Sequence, residues 1–495
     1  MRIVYFCNLI GTKMNSRIAA IFIFLCLITG ACHRIEPDPT EPSDDPTVPP
    51  GNQNQKPVWP EGEYGKEYVW DDETVPEFHI SFTEKEWNNL LSGYDKNPDI
   101  TSFFRCSVIF DKEGARDTVT KAGIRLFDNG DAMRPEGTSG SRHSRTDTRW
   151  QFSNYEIDFG RYSSDCSLRT VKSVYLKSCV NDPSYARERY CYNLFERFGI
   201  QSIGRNIYCR LNIHIEGDEK PAYIGLYQMI EPIDQSYLDD RKKLFESSGG
   251  FLWKCRNGAS LMTSSSAMAF GIDNGNGEDY TYLLMTGKEA ANTAAAQLED
   301  FIRSIRSKNQ NDFYDWIGKV CDVELLLRTY AVNVAVGMWD DYWNRGNNFY
   351  LYFNSTSKDT YKVYFIPFDY EMSLGNSRKD VMKDPGRQDP YNWGKQTNPL
   401  IIRLLQIPEY KEIFRNALME LVMPEAYLFE PGISTAIVGD FMYQASFHSG
   451  TDTGINKGTK DRPAQWSSCQ DYRISSADAG NFFEIRSETI RNYSE

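Results

Sequence analysis

The chain has 495 residues, with 55 Lys and Arg against 68 Asp and Glu, so its formal net charge is -13. This acidic balance argues against nucleic acid or an anionic lipid surface as the main partner, because the chain has no excess of cations to release counterions. Only 5 His are present, and H-E-x-x-H and C-x-x-C spacings are absent, which argues against a His-rich metal enzyme.

The N-terminal region has the pattern of an export signal. Residues 18–28 are an apolar run that precedes Thr29-Gly-Ala-Cys32. The run is shorter than the roughly 20 apolar residues that a transmembrane helix needs. Small residues directly before a cysteine indicate lipoprotein processing, so we expect residues 1–31 to be a signal peptide and Cys32 to be lipidated. A plain secretory signal cut near Ala31 is the alternative.

A tether follows the signal. Residues 32–60 are rich in proline and acidic side chains and have almost nothing to bury. This composition indicates a disordered, extended segment. We therefore expect an exported protein that contacts the membrane through its lipid anchor only.

The remainder alternates between strand and helix patterns. We expect one α and β domain at 61–430 and an extension at 431–495 that packs on it. In chain order, periodicity predicts strands at 77–82 and 102–110 around a helix at 84–91, a helix at 182–198, a hairpin at 207–215 and 222–230, helices at 290–305 and 323–336, a hairpin at 348–353 and 361–366, and a helix at 399–414 with a break near Pro408. Asp182 as N-cap and Pro183 at the first helical position define the start of the helix at 182–198.

Acidic side chains flank the second predicted hairpin. Trp339-Asp-Asp-Tyr-Trp-Asn-Arg-Gly-Asn-Asn348 precedes the hairpin, and Asp369 follows it. Protein kinases have the same order: an Asp near the substrate hydroxyl, a metal-binding Asn, a hairpin and a metal-binding Asp. Phosphoryl transfer needs hard oxygen ligands for Mg²⁺ and one carboxylate beside the attacking hydroxyl. From spacing alone, solvated turns remain the commoner explanation of such acids.

Several motifs together resemble the CotH family, the spore-coat-protein-H kinases, and in particular its surface lipoproteins from Bacteroides-like bacteria. The resemblance covers residues 60–430. The motifs that carry it, in the family's order, are Tyr175-Leu-Lys-Ser178 with Asp182-Pro-Ser-Tyr-Ala-Arg187, Gly225-Leu-Tyr-Gln-Met-Ile-Glu-Pro-Ile-Asp234, Gly250-Phe-Leu-Trp-Lys254, Trp339-Asp340 with Asn347-Asn348-Phe-Tyr-Leu-Tyr352, and Ile366-Pro-Phe-Asp369 with Ser373-Leu-Gly375.

The resemblance implies an α+β fold of the atypical protein-kinase type with two lobes, an antiparallel sheet in the N-lobe and a mainly helical C-lobe. It implies transfer of the γ-phosphate of ATP, with Mg²⁺ or Mn²⁺, to Ser or Thr of the protein itself or of a surface or secreted protein acceptor. It also implies a location at the outer membrane or cell surface of a Gram-negative bacterium. The oligomeric state is left open.

The resemblance also assigns roles on the nucleotide side of the site. Lys177 looks like the lysine that contacts the ATP phosphates. Glu188 or Glu196, on the helix that follows, would pair with it. Glu231, at the end of a strand, would face the adenine, although a solvated strand-end acid explains it equally well.

On the catalytic side, Asp340 looks like the catalytic carboxylate. Asp341 is its close competitor, because the doublet leaves the register ambiguous by one residue. Asn347 or Asn348 would bind the metal, with the same ambiguity. Asp369 looks like the principal Mg²⁺ ligand.

Two features depart from the family's pattern. Arg125-Leu-Phe-Asp-Asn-Gly130 stands where the family often has an Arg-Gly-Asn-type loop, which is a place for phosphate contacts. Phe368-Asp-Tyr-Glu371 replaces the usual Trp-Asp-x-Asp and keeps its acidity. The first departure keeps a second function open: a non-catalytic surface lipoprotein that uses the kinase-like fold for adhesion or assembly.

Overall fold

The computed structural model describes residues 65–127, 133–146, 149–182, 184–262, 269–273, 280–376, 384–449 and 482–494. Some predicted features lie outside these ranges, namely the signal peptide at 1–31, the lipidated Cys32, the tether at 32–60, residues 128–130 of the altered loop, Pro183 and the middle of the C-terminal extension.

The described strands form two sheets. Their bounds are β1 Glu77–Phe82, β2 Phe104–Lys112, β3 Ala115–Leu126, β4 Tyr155–Asp158, β5 Ser173–Ser178, β6 Asn206–Ile215, β7 Ala222–Ile230, β8 Phe251–Cys255, β9 Phe270–Ile272, β10 Tyr282–Leu284, β11 Phe349–Phe353 and β12 Val363–Pro367. The first sheet closes into a barrel in the order β1-β2-β3-β4-β5-β7-β6, and the second has the order β12-β11-β8-β10-β9.

The barrel closes through a parallel pairing of β1 with β6, in which Phe78 aligns with Leu211. Its other strand pairs are antiparallel. Phe78, Ile80 and Phe82 of β1 point into an apolar core, and the residues between them keep part of their surface exposed. The predicted period of two therefore corresponds to an inside and an outside of the barrel. Closure also removes the free strand edges of this sheet.

Helices pack against both sheets. Their bounds are α1 Lys66–Trp70, α2 Glu84–Lys96, α3 Arg187–Arg197, α4 Gln235–Asp240, α5 Ala291–Ser307, α6 Gln310–Val320, α7 Val323–Ala335, α8 Tyr342–Arg345, α9 Pro399–Leu405, α10 Pro408–Val422, α11 Pro431–Ser449 and α12 Phe482–Ser494. Buried side chains of α5, α7, α10 and the second sheet belong to one apolar core, which is separate from the core of the barrel, where α1 and α2 pack.

The α+β class is confirmed. The predicted antiparallel N-lobe sheet is instead a closed barrel of seven strands, with one parallel pair. The structure does not show the predicted division into two lobes, since all described residues belong to one compact unit, Lys56–Glu495. The alternation of apolar and polar residues within each strand predicts which side chains face the core. The pairing of β1 with β6 joins distant parts of the chain, and no local sequence pattern predicts it.

The helix predicted at 182–198 begins later than expected, at Arg187. Asp182 caps a tight turn before the helix, where its Oδ1 accepts the Ser184 N–H at 3.0 Å. Its Oδ2 accepts the N–H of Arg187 at 2.8 Å. The prediction that Asp182 is the N-cap was therefore wrong, since the N-cap is Ala186, although Asp182 does accept the N–H of the first helical residue.

The C-terminal helix α12 packs against α7 and α10. The side chains of Phe482 and Phe483 are fully buried. Arg486 donates from Nε to the carbonyl oxygen of Val334 at 2.9 Å, near the end of α7. Within the described residues, no helix has both the length and the apolar character needed to cross a membrane.

Candidate active site

A barrel lysine and a glutamate of the following helix form a buried ion pair. Nζ of Lys177, near the end of β5, lies 2.8 Å from Oε2 of Glu188 in the first turn of α3. The two side chains expose only 8% and 1% of their surface. Glu196, the alternative partner from the sequence, lies exposed on the same helix. The structure therefore selects Glu188.

Two further carboxylates reach the same lysine from the loop after β12. Lys177 contacts the carboxylate of Asp369, and its Nζ lies 3.4 Å from Oε2 of Glu371. Asp369 has a φ of 64°, a left-handed conformation that is uncommon outside glycine. The N–H of Tyr370 donates to Oε1 of Glu188 at 3.1 Å and holds this backbone in place. Strain of this kind concentrates at functional sites.

The cluster contains more negative than positive charge. Burial alone would lower the pKa of Lys177, but Asp369, Glu188 and Glu371 raise it well above the usual value, so the ammonium stays charged. Burial raises the pKa of Glu188 despite the lysine. Burial, together with Asp369 and Glu188, raises the pKa of Glu371 to about 7. One ammonium is thus shared by three carboxylates.

These three carboxylates fit a divalent cation. Glu188, Asp369 and Glu371 each present an oxygen, and these oxygens lie within 4.8 Å of one another. Hard cations such as Mg²⁺ prefer carboxylate oxygens, and a second positive charge would relieve the repulsion among them. The donor set and the charge excess are therefore both suited to the metal that the sequence resemblance implies.

A second group of side chains surrounds Asp340, in the loop between α7 and α8. Its Oδ2 accepts hydrogen bonds from Nδ2 of Asn347 and from Nδ2 of Asn348, each at 3.2 Å. Nε of Arg345 lies 3.4 Å from Oδ1. Burial raises the pKa of Asp340, and Arg345 opposes this shift. Asn348 has a φ of 56°, a second left-handed residue at the site.

Asp341 has a different environment. It is the N-cap of α8, and its Oδ1 accepts the N–H of Asn344 at 3.0 Å. Its Oδ2 accepts Nδ2 of Asn333 at 3.3 Å. Burial raises the pKa of Asp341 to about 7. The geometry thus separates the acidic doublet: Asp341 supports the local backbone, and Asp340 is left to face the cavity.

A cavity of about 200 Å³ joins the two groups. Its polar wall includes most of the site residues expected from the sequence, namely Lys177, Asp340, Asn347, Asn348 and Asp369. Apolar contacts come from Phe127, Phe152, Trp339, Phe368 and Met372. The cavity therefore brings a lysine, a candidate metal-binding carboxylate cluster and a separate carboxylate within one space.

Glu231 is not brought to this cavity. It follows β7, and its carboxylate receives Nη2 of Arg241 at 2.7 Å and Nη1 at 3.2 Å. The N–H of Arg205 donates to the same carboxylate at 3.0 Å. The location matches the expected strand end, but the side chain is engaged by Arg241.

The sequence left several cavity residues without a role. From the sequence, Glu371 was noted only as part of the segment that differs from the family's Trp-Asp-x-Asp motif. Its position two residues after Asp369 could have indicated a second metal-binding carboxylate. Asn181 carried no signal; its Nδ2 donates to Oε1 of Glu371 at 3.1 Å. Arg345 stood in the acidic loop without an assignment, and it lines the cavity beside Asp340.

Comparison with known families identifies the family to which this chain belongs. The sequence model of the family described as CotH kinase protein matches residues 138–430, more than half of the chain. The chain belongs to the CotH family. At the family level it is therefore a CotH-like kinase, and such a kinase suggests ATP and a divalent metal as cofactors. No curated protein matches the chain.

The CotH match includes every side chain of the two groups around the cavity. It begins after β3 and ends before α11, so β1 to β3, α1, α2, α11 and α12 lie outside it. The assignment to a Bacteroides-type lipoprotein stays a prediction.

Proposed function

We propose that this CotH-family protein is an exported protein kinase. It transfers the γ-phosphate of ATP to Ser or Thr of itself or of surface or secreted proteins, with Mg²⁺ or Mn²⁺. The observation that carries the proposal is the placement of Lys177, bound to Glu188 and Asp369, in one cavity with Asp340. A lysine paired with a helix glutamate, together with a metal-binding Asp, is the arrangement that active protein kinases need.

On the nucleotide side, Lys177 binds the phosphates, and Glu188 holds its ammonium in position. Asp369 and Glu371 would hold the metal, which when bound would neutralise the phosphate charge. Asn347 and Asn348 each donate an amide N–H to Asp340, so their side-chain oxygens are left for the metal.

On the acceptor side, Asp340 orients the Ser or Thr hydroxyl and takes its proton. Burial raises the pKa of Asp340, which increases its basicity relative to an exposed carboxylate. The apolar wall of the cavity, including Phe127 and Phe368, keeps water from the transferring group.

The proposal extends to location. The small residues before Cys32 and the tether at 32–60 support a lipid anchor at the outer membrane or cell surface. Fatty-acid labelling of the wild-type protein, but not of Cys32→Ala, is the expected result. A Cys32→Ala protein that stays bound to the membrane would contradict the anchor.

The kinase activity is tested with the purified protein, radiolabelled ATP, and Mg²⁺ or Mn²⁺. We expect label in the protein itself or in added surface-protein acceptors, and none in the Asp369→Ala variant or with EDTA. The matched control is Asp359→Ala, since Asp359 is exposed in the loop between β11 and β12. Equal incorporation in wild type and Asp369→Ala would overturn the kinase and favour the non-catalytic role in adhesion or assembly.

A further inference from the structure

One cation of the cavity is not used by the mechanism above. Arg345 is the last residue of α8, and its side chain is 25% exposed. Nε lies 3.4 Å from Oδ1 of Asp340, and Nη2 donates to Oδ1 of Asn257 at 3.4 Å. Both contacts are long, and Nη1 has no hydrogen-bond partner among the residues that the structure describes. The guanidinium therefore has donors available to a group in the cavity.

The backbone that carries Arg345 is fixed at both ends of α8. Asp341 caps the start, and Gly346 follows the end with a φ of 63°. A Cβ on Gly346 would lie 2.8 Å from the carbonyl carbon of Ala259. The close approach of these two backbone segments therefore requires glycine at position 346. The N–H of Ala259 donates to the carbonyl oxygen of Gly346 at 2.8 Å. Arg345 is thus held ready before any ligand enters, and donors fixed in advance need little reorganisation.

Phosphate transfer next to Asp340 needs a cation in addition to Lys177, because two negative groups must approach each other there. The phosphoryl group in transfer must approach Asp340, and both are anionic. Lys177, which lines the same cavity, is already shared by three carboxylates. Arg345 is the cation beside Asp340, and an arginine can donate to two phosphate oxygens at once.

We propose that Arg345 is a catalytic residue that donates hydrogen bonds to the oxygens of the γ-phosphoryl group during transfer, an arginine supplied from within the chain. This inference rests on the proposed kinase function and deepens it. In the step, the bond from phosphorus to the ADP oxygen breaks, and ADP leaves with the electron pair. The bond from phosphorus to the acceptor oxygen forms, and the acceptor proton passes to Asp340. Arg345 keeps its protons throughout.

The test compares the wild-type protein with Arg345→Ala, Arg345→Lys and the control Arg303→Ala. Arg303 is an exposed residue of α5 that pairs with Glu299 one helical turn away. We expect Arg345→Ala to lower kcat about 100-fold or more while KM for ATP changes little. Arg345→Lys should restore only part of this loss, because an ammonium lacks the planar pair of donors.

A binding measurement separates this role from structural support. Calorimetric titration with ADP and Mg²⁺ should give the same affinity in all four proteins, which also shows that the variants are folded. Addition of aluminium fluoride, which mimics the phosphoryl group in transfer, should tighten ADP binding in the wild type and in Arg303→Ala but not in Arg345→Ala.

The outcomes distinguish the two levels of the argument. A wild-type protein that transfers phosphate, with Arg345→Ala matching it in kcat and in the aluminium fluoride effect, would overturn the role of Arg345 alone. A parallel loss of ADP affinity in Arg345→Ala would make the residue a structural support and would also overturn the role. A wild-type protein without transfer or ADP binding would overturn the proposed function, and this inference with it.

Discussion

The barrel and the loops outside it contribute to the cavity in different ways. The barrel contributes Lys177 from within a strand, where β5 is hydrogen-bonded to β4 on one side and to β7 on the other. Loops outside the barrel contribute Asp340 between α7 and α8, Asn348 before β11 and Asp369 after β12, and two of these residues have left-handed backbones. The cation is thus held by regular structure, and the acids are held by specific side-chain contacts.

Because of this difference, we expect the barrel mainly to determine the stability of the fold and the loops mainly to determine phosphate transfer. Changes within the barrel should alter the free energy of unfolding and leave the loops in place. Changes in the loops should alter phosphate transfer, since strained backbones persist only through their neighbours. Lys177 belongs to both regions, because its strand is in the barrel and its partners are outside it. Variants of each region can test this separation.

The largest expected effect is on activity, from Asp340→Asn. The amide keeps the shape of the side chain but cannot take the proton of the hydroxyl, so kcat should fall by about 100- to 10,000-fold. Thermal unfolding should change little. Phosphate transfer under steady-state conditions is the measurement, with Asp341→Asn as the matched neighbour that keeps most of its activity. The reverse ranking of the two variants would contradict the register assigned here.

Lys177→Ala should cause the largest loss of stability. Removal of the ammonium leaves three carboxylates without their cation, which should lower the free energy of unfolding by about 3–5 kcal/mol. Urea denaturation without divalent metal measures this loss, and added Mg²⁺ should restore part of it. The control is Lys362→Ala, which breaks a surface pair with Glu246 and should cost less than about 1 kcal/mol. A loss no larger than in this control would contradict the buried cluster.

A smaller effect should appear as pH dependence in Asp341→Asn. Burial raises the pKa of Asp341 to about 7 in the folded protein, above about 4 in the unfolded chain. The folded form therefore holds this proton more tightly, and wild-type stability falls as pH rises through that window. The amide keeps the cap on Asn344 and carries no charge. We expect equal stability near pH 4 and a gain of up to about 4 kcal/mol above pH 7 in urea denaturation. Parallel pH profiles for the two proteins would contradict the shift.

The smallest effect should come from helix α2, which packs on the barrel. Nε1 of Trp87 donates to Oε1 of Glu136 at 2.7 Å, and Nδ1 of His143 lies 2.9 Å from the same oxygen. Trp87→Phe removes one of these two partners and leaves space at a fully buried side chain, so we expect a loss of about 2 kcal/mol. Phosphate transfer should match the wild type. A fall in kcat without a fall in stability would mean that the barrel and the loops are not separate.

The sequence predicted individual strands well where the pattern was local. The strand expected at 222–230 is β7 with the same bounds, and the strand at 77–82 is β1. The break near Pro408 separates α9 from α10, since a proline begins the second helix. Each of these features depends on neighbouring residues, which periodicity and proline geometry describe directly.

The sequence predicted which segments form the candidate site, but it left the choice between neighbouring residues open. Lys177, Asp340 and Asp369 line one cavity as the motifs implied. The choice between Asp340 and Asp341 depends on which of them caps α8, and a helix of four residues leaves no periodic pattern. The choice of Glu188 depends on where α3 begins, and the turn at Asp182 moved that point. Barrel closure depends on a pairing of distant strands.

The position of helix α12 determines when, during folding, the active site can form. A Cβ on Gly337 would lie 2.7 Å from Cζ of Phe482, so the loop that leads to Asp340 lies directly against this helix. Trp393 donates from Nε1 to the carbonyl oxygen of Met338 at 3.0 Å, and Arg486 of α12 lies over its ring. Every proposed catalytic side chain precedes α12 in the sequence, so an exported chain delivers those side chains before it delivers this helix. We therefore expect a nascent chain to remain inactive until this helix emerges and docks, which postpones phosphate transfer to the last stage of folding.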